Sequence, residues 1–163
     1  MLLCEVFREL GEDRFRKLLR SISMGKLKTY QLYERLKIRT HIAKLNTEGL
    51  RKAEPRLWDR LLTDDEEYAT DISQAILVSH LDLIVAVLNH LGIPHEEGFF
   101  VKDLDAKQYL TEGWRERAYA EFNGKFPEAL VLFYVNHLVF ELDKGAELYR
   151  PPELSREDTS LHA

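Results

Sequence analysis

The sequence contains few of the residues that cross-link a chain or interrupt its regular structure. Its 163 residues include one cysteine, eight glycines and five prolines. Because Cys4 has no second cysteine to bond with, an internal disulfide is excluded, which is typical of a reducing compartment. We expect a cytoplasmic protein, and the length fits one domain with a sizeable core.

Long hydrophobic runs are also missing. The most apolar region, residues 72–91, contains Asp82 and several other polar side chains, whereas a membrane span needs about 20 largely apolar residues. The apolar start at Met1 is followed almost at once by Glu5 and Arg8, so the N-terminus does not resemble a secretory signal. The sequence therefore predicts no membrane partner.

The short motifs that identify catalytic and cofactor sites are absent as well. There is no His-Glu-x-x-His zinc motif, no cysteine cluster, no Gly-x-Ser-x-Gly turn and no glycine-rich phosphate loop. We therefore expect no cofactor. The same absences favour a protein that is not an enzyme, without deciding the question.

What is present is helical periodicity, which predicts an all-α fold. Apolar residues recur at intervals of three and four along most of the chain, which places them on one face of a helix. We expect a single compact domain of five or six helices over residues 1–150. Residues 151–163 are polar and predict a mobile tail.

Two strongly apolar helices are expected at the centre of this domain. The first is predicted over residues 63–91, with Thr63 as its cap and Gly92 at its end. The second is predicted to begin after Pro127. Residues 81–91 and 128–138 share four of eleven positions, including Asn-His-Leu. An ancient duplication or the common composition of buried helices accounts for this similarity.

Shorter helices are predicted around these two. A helix beginning at Thr29 should be closed by Pro55, and a short helix should follow this proline. Asp105 is predicted to cap a helix that runs to about Phe122. We expect one short extended piece at residues 99–101, and no pair of alternating strands.

Charge is divided unevenly along the chain. Residues 14–60, the basic segment, contain fourteen Lys and Arg against four Asp and Glu, whereas residues 61–163 contain eight against twenty. The net charge of −5 hides this division. Such asymmetry indicates a nucleic-acid contact, a membrane contact, or one segment packed on the other.

The basic segment is a candidate nucleic-acid interface. Residues 29–36 and 39–51 fit the two helices of a helix-turn-helix, whereas one uninterrupted helix from Thr29 to about Glu48 explains the same pattern with fewer exceptions. Solvated basic faces are common, and residues 61–150, the acidic body, supply an internal partner for the basic segment. The candidate contact residues are Arg35, Arg39, Lys44, Arg51 and Lys52.

The two apolar helices carry a second group of candidate residues. If residues 72–91 form one continuous helix, its polar side chains fall on a narrow stripe that either lines a pocket or forms the exposed edge. On the other helix His137 and Glu141 are four residues apart, which suits metal ligation or an ion pair. Two ligands are too few for a metal site, so we predict no metal. The candidate ligand-binding residues are Asp82, Asn89, His90, His137 and Glu141.

The sequence does not identify one function, and three hypotheses stay open. The leading one is a non-enzymatic helical interaction module that forms a homo-oligomer, because two widely apolar helices are hard to cover in so short a chain. The first alternative is a nucleic-acid-binding protein that uses the basic segment. The second is a small-ligand or metal-binding protein, or an enzyme, with a histidine/carboxylate site between the two apolar helices.

Overall fold

A computed structural model describes residues 1–36 and 47–152, and it confirms the all-α prediction. In these two ranges the chain forms eight α-helices, more than the five or six expected, and one two-stranded antiparallel hairpin. The helices are α1 (Leu3–Leu10), α2 (Glu12–Arg20), α3 (Met24–Thr29), α4 (Thr47–Leu61), α5 (Glu66–Ser79), α6 (Leu81–Leu91), α7 (Trp114–Phe122) and α8 (Glu128–Leu142). The hairpin pairs β1 (His95–Glu96) with β2 (Phe99–Phe100), so that His95 lies opposite Phe100.

Helix α8 forms the centre of the fold. Residues 129–139 are all buried, because α1, α2 and α7 pack against this helix. Phe133 of α8 stacks on Phe7 of α1 with ring centroids 5.2 Å apart, and Phe7 meets Phe15 of α2 edge-on at 5.5 Å. A helix that is hydrophobic on all sides must be covered by other parts of the protein on all sides. Helix α8 is covered in this way over residues 129–139.

The first apolar helix is broken, so the prediction of one helix over residues 63–91 is wrong. The chain instead forms α5 and α6, which meet at His80 with an 84° bend. The Ser79 hydroxyl donates back to the Ala75 carbonyl at 2.7 Å and accepts from the backbone N–H of Ser23 at 2.8 Å. A serine hydroxyl that donates a hydrogen bond to the carbonyl four residues earlier bends a helix. The hydrogen bond from Ser23 holds Ser79 at this corner. Among the helices described, none is by itself long and apolar enough to cross a membrane, and only the bent α5–α6 pair passes that test when joined.

Three other predicted helix boundaries can be compared with the structure. Asp65, rather than Thr63, caps the start of α5. Asp105 caps only a single 3₁₀ turn, and the helix that follows begins at Trp114. Pro127 directly precedes α8, as predicted.

Helix α4 continues through Pro55, where the sequence predicts an end. Proline removes one backbone donor and crowds the preceding turn, yet Ala53 and Leu57 on either side are both buried. Glu54 is also held by Arg20 of α2 through two hydrogen bonds of 2.8 and 2.9 Å. These tertiary contacts on both sides of the proline outweigh its local preference.

Neither predicted arrangement of residues 29–36 is present. Helix α3 ends at Thr29, and the chain then turns through Gln31, whose φ is +58°. The uninterrupted helix from Thr29 and the first helix of a helix-turn-helix are therefore both wrong. Residues 37–46, with Arg39 and Lys44, lie outside the described residues, as does most of the predicted tail.

Candidate ligand-binding site

A partly open cavity lies where the α5–α6 corner, the hairpin and α8 meet. Its volume is about 140 Å³, close to the ~150 Å³ of an engineered apolar cavity that binds benzene. Helix α8 supplies its three polar residues, Tyr134, His137 and Glu141. The other lining residues are apolar: Leu77, Val78, Leu81, Ile84, Gly98, Phe99 and Phe100. The cavity therefore offers room for one small ring beside a polar wall.

The polar wall follows from helical spacing. Residues 134, 137 and 141 are separated by three and four positions, which places them on one face of α8. Opposite them, Gly98 brings the hairpin onto α6. Its φ of +94° favours glycine, and a Cβ at this position would lie 3.3 Å from the Ile84 side chain. Hairpin and helix thus close the cavity from the side opposite α8.

His137 lacks the hydrogen bonds that a buried histidine normally makes. The residue is 3% exposed, and its Nδ1 has no hydrogen-bond partner in the part of the chain that the structure describes. Glu141 Oε1 lies 3.5 Å from this nitrogen, which is longer than an ordinary N–H···O bond. Burial lowers the pKa of His137 to about 4, so the imidazole is neutral at pH 7.

Glu141 is a carboxylate without a cationic partner in the cavity. Its side chain is 36% exposed, and burial of the remainder against apolar walls raises its pKa to about 7. None of the residues that line the cavity is lysine or arginine. Burial, and then the charge of Glu141, raise the pKa of Tyr134, which is a neutral phenol at pH 7. The wall therefore combines a phenol, a neutral imidazole and a carboxyl group that ionises near pH 7.

The structure brings together two of the five predicted ligand-binding residues. His137 and Glu141 line the cavity, whereas the other three are exposed on α6: Asp82, Asn89 and His90. The amide oxygen of Asn89 lies 2.7 Å from Nε2 of His95 in the hairpin. The five residues do not converge because α6 turns Leu81 and Ile84 toward the cavity and leaves its polar side chains on its exposed face.

Tyr134 and the two phenylalanines of β2 line the cavity, although they were not among the predicted ligand-binding residues. Tyr134 lies three residues before His137 on the same helical face, and this spacing was a usable signal. Phe99 and Phe100 were expected only as an extended piece, because nothing local shows which helix a hairpin will cover.

Metal binding finds no geometric support here. Within residues 1–36 and 47–152 no group of three or more His, Cys, Asp or Glu side chains is placed to hold a metal ion. His137 and Glu141 supply two ligands, and structural or catalytic metal sites take three or four. The arrangement instead combines an apolar cavity with a carboxyl group whose pKa is raised to about 7.

Three of the five candidate nucleic-acid residues lie in the part of the chain that the structure describes, and all three are exposed. Arg35 is exposed and donates to the Gln74 amide oxygen at 3.2 Å. Arg51 and Lys52 are exposed on α4, with Lys52 Nζ 3.4 Å from a Glu48 oxygen. The two remaining candidates lie outside the described residues: Arg39 and Lys44.

Other arginines of the basic segment contact carboxylates. Arg14 Nε lies 2.9 Å from Glu128 at the start of α8, which joins the basic segment to the acidic body. Arg20 binds Glu54 through two nitrogens, and Arg16 Nε lies 3.9 Å from the same carboxylate. Part of the basic segment is therefore neutralised inside the molecule.

Comparison with known proteins gave no match: no protein-family model, no curated protein and no solved structure matches this chain.

Proposed function

We propose that the protein binds a small, largely apolar molecule in the cavity between α6, α8 and the hairpin. The observation that supports this proposal is the His137 ring, which is almost fully buried, without a hydrogen bond at Nδ1, on the wall of an apolar cavity. Buried polar groups in folded proteins are nearly always hydrogen-bonded, and an unsatisfied one calls for an explanation such as a bound water, an ion or a role in a reaction. A ligand in the adjoining cavity would supply the missing partner. An apolar cavity with a few convergent polar groups is the common form of a ligand site.

The surroundings of the cavity provide space for more than one ring. A neighbouring depression of about 330 Å³ shares Leu77, Val78 and Phe99 with the cavity. Its other lining residues are Tyr30, Leu32 and the hydrogen-bonded pair Arg35 and Gln74. A ligand whose polar end meets α8 would extend an apolar part along these shared residues. The exposed Phe99, 51% accessible, lies where the two spaces adjoin.

For one of the two apolar helices, the structure bears on the reason given for the leading sequence hypothesis. Self-association was expected because wide apolar faces seemed hard to cover, yet residues 129–139 of α8 are all buried within one chain. Formation of a homo-oligomer stays a prediction, without a free apolar helix face on α8 to support it. Nucleic-acid binding also stays a prediction, and the arginine–carboxylate contacts of the basic segment weaken it.

Binding can be tested with two neutral one-ring probes, toluene and benzyl alcohol, followed by amide chemical shifts in NMR. We expect the largest shifts at Gly98, Phe100 and the C-terminal turns of α8. Leu81→Trp should fill the cavity and abolish binding. The matched control is Leu62→Trp, because Leu62 is 54% exposed and does not line the cavity.

Melting temperatures of both variants establish that they are folded. Shifts scattered over the surface, or binding that survives Leu81→Trp in a folded protein, would contradict the proposal.

A further inference from the structure

We propose that this cavity selects an organic cation, namely a small apolar body that carries a protonated amine, with its charge paired to Glu141. This inference rests on the proposed ligand-binding function and specifies the class of ligand. Three features of the cavity carry it: its uncompensated charge, its set of hydrogen-bond acceptors and its aromatic walls.

The charge of the cavity is negative and unopposed. Glu141 is the only acidic residue among those that line it, and no lysine or arginine accompanies it. Among the described residues, its polar contact is with His137 at 3.5 Å, and the ring of His137 is neutral at pH 7. A carboxylate in apolar surroundings is costly unless a cation accompanies it. A ligand cation would supply that charge, whereas a carboxylate ligand would be repelled.

The three polar side chains can all accept hydrogen bonds. An ammonium group has three N–H donors and no acceptor. Glu141 offers carboxylate oxygens and Tyr134 a phenol oxygen. In the tautomer of His137 that carries its proton on Nε2, the lone pair of Nδ1, which has no hydrogen-bond partner among the described residues, can accept a hydrogen bond. The cavity thus presents three acceptor groups along one face of α8, and the ammonium would pair with the charged one, Glu141.

Aromatic rings complete the match. Tyr134, Phe99 and Phe100 line the same space, and the face of an aromatic ring attracts a cation. The aliphatic residues of the α5–α6 corner, such as Leu77 and Ile84, receive the apolar body. A cavity of about 140 Å³ limits that body to about one ring.

The inference predicts a pH dependence. The titratable neighbours of Glu141 on its own helix are Tyr134 and His137, both neutral at pH 7, and the lining residues from α5, α6 and the hairpin carry no charge. Because the pKa of Glu141 is raised to about 7, its ionised fraction increases about tenfold between pH 6 and pH 8. The affinity for an amine should increase in proportion, while the affinity for a neutral ligand should not change.

Three probes of nearly equal size test the charge preference at pH 8: benzylamine, benzyl alcohol and benzoate, titrated by NMR and calorimetry. We expect benzylamine to bind at least about tenfold more tightly than benzyl alcohol, and benzoate not to bind. Glu141→Gln should make benzylamine and benzyl alcohol equal, and Glu141→Asp should keep part of the preference. Glu116→Gln is the control, because it removes the same charge from an exposed position on α7 outside the cavity.

The outcomes separate the inference from the function on which it rests. Equal affinities for benzylamine and benzyl alcohol in the native chain would overturn the cation preference and leave ligand binding intact. If no probe shifts the cavity amides, both proposals fail. An amine preference that Glu116→Gln reduces as much as Glu141→Gln would be a general surface effect, and it too would overturn the inference.

Discussion

Glu54 and Glu141 are two carboxylates that differ in their neighbours: arginine contacts the first, and no lysine or arginine lines the cavity beside the second. Glu54 is 1% exposed, and it accepts two hydrogen bonds from Arg20 while Arg16 lies 3.9 Å away. Glu141 is 36% exposed, and its contact at 3.5 Å is with a neutral imidazole. The chain thus supplies arginine where a buried carboxylate joins α2 to α4, whereas no lysine or arginine lines the cavity beside Glu141. This contrast supports the proposal that Glu141 pairs with a ligand cation.

The largest expected effect concerns the cavity, where His137 and Glu141 make the unfolding free energy depend on pH. The folded pKa of His137 is about 4, below its ordinary 6.5, so its contribution to stability is complete above pH 6.5 and is lost as the pH falls through 4. The folded pKa of Glu141 is about 7, above its ordinary 4.5, so its contribution is complete below pH 4.5 and is lost as the pH rises through 7. The two residues therefore oppose each other between pH 4.5 and 6.5.

Single substitutions should separate the two contributions. Relative to His137→Gln, the native protein should lose roughly 3 kcal/mol of unfolding free energy as the pH falls from 7 to 4. Relative to Glu141→Gln, it should lose stability in the other direction, as the pH rises from 4.5 to 7. Urea denaturation at a series of pH values measures both differences. Two difference curves with the same slope would show that the cavity does not shift these groups as described.

The second prediction concerns Glu54 and removes its main cationic partner, Arg20. Arg20→Gln leaves the buried carboxylate with Arg16 at 3.9 Å. Loss of one partner of a fully buried pair costs about 3–5 kcal/mol. Because Arg20 is 43% exposed, we expect a smaller loss, about 2 kcal/mol of unfolding free energy in urea denaturation.

The control for this prediction is Arg56→Gln, the same change at an exposed residue of α4. It should alter the unfolding free energy by no more than about 0.5 kcal/mol. Equal effects of the two substitutions would mean that Glu54 does not depend on Arg20, and the contrast with Glu141 would lose its basis.

Local sequence was sufficient for the fold class and for some helix boundaries. The all-α fold follows from apolar residues at helical spacing, and Pro127 marks the start of α8 because proline fits the first turn. The bend at His80 was not predictable in the same way. It depends on the contact between Ser79 and Ser23, which are 56 residues apart in the chain. Likewise, Pro55 is retained within α4 by packing on both of its sides.

The candidate site shows the same limit at the level of single residues. The tripeptide Asn-His-Leu occurs in both α6 and α8, yet Asn89 and His90 are exposed while Asn136 and His137 are buried. Asn136 is satisfied by the backbone of Tyr149, which donates to it at 2.6 Å and accepts from it at 3.1 Å. Identical local sequence therefore leads to opposite environments, and the neighbours that decide between them come from distant parts of the chain.

The smallest effect is expected for exposed basic side chains, which can be compared with the arginines that contact carboxylates. Arg14 and Arg20 are bound to carboxylates, whereas Arg51 and Lys52 are exposed on α4. Within the described residues, Lys52 lies 3.4 Å from Glu48. A phosphate backbone is bound through basic side chains whose charge is not already compensated. Since the paired arginines present a reduced field, we expect weak retention on DNA and RNA fragments.

The double variant Arg51→Glu/Lys52→Glu tests this expectation in a salt series. It should change nucleic-acid affinity by less than about threefold and the unfolding free energy by no more than about 0.5 kcal/mol, because both side chains are solvated. The contrary result is an affinity that falls linearly with the logarithm of salt concentration and is lost in the double variant. That result would make the basic segment a binding surface in its own right, and its paired arginines would then be the scaffold that holds α4 in place rather than evidence against contact with nucleic acid.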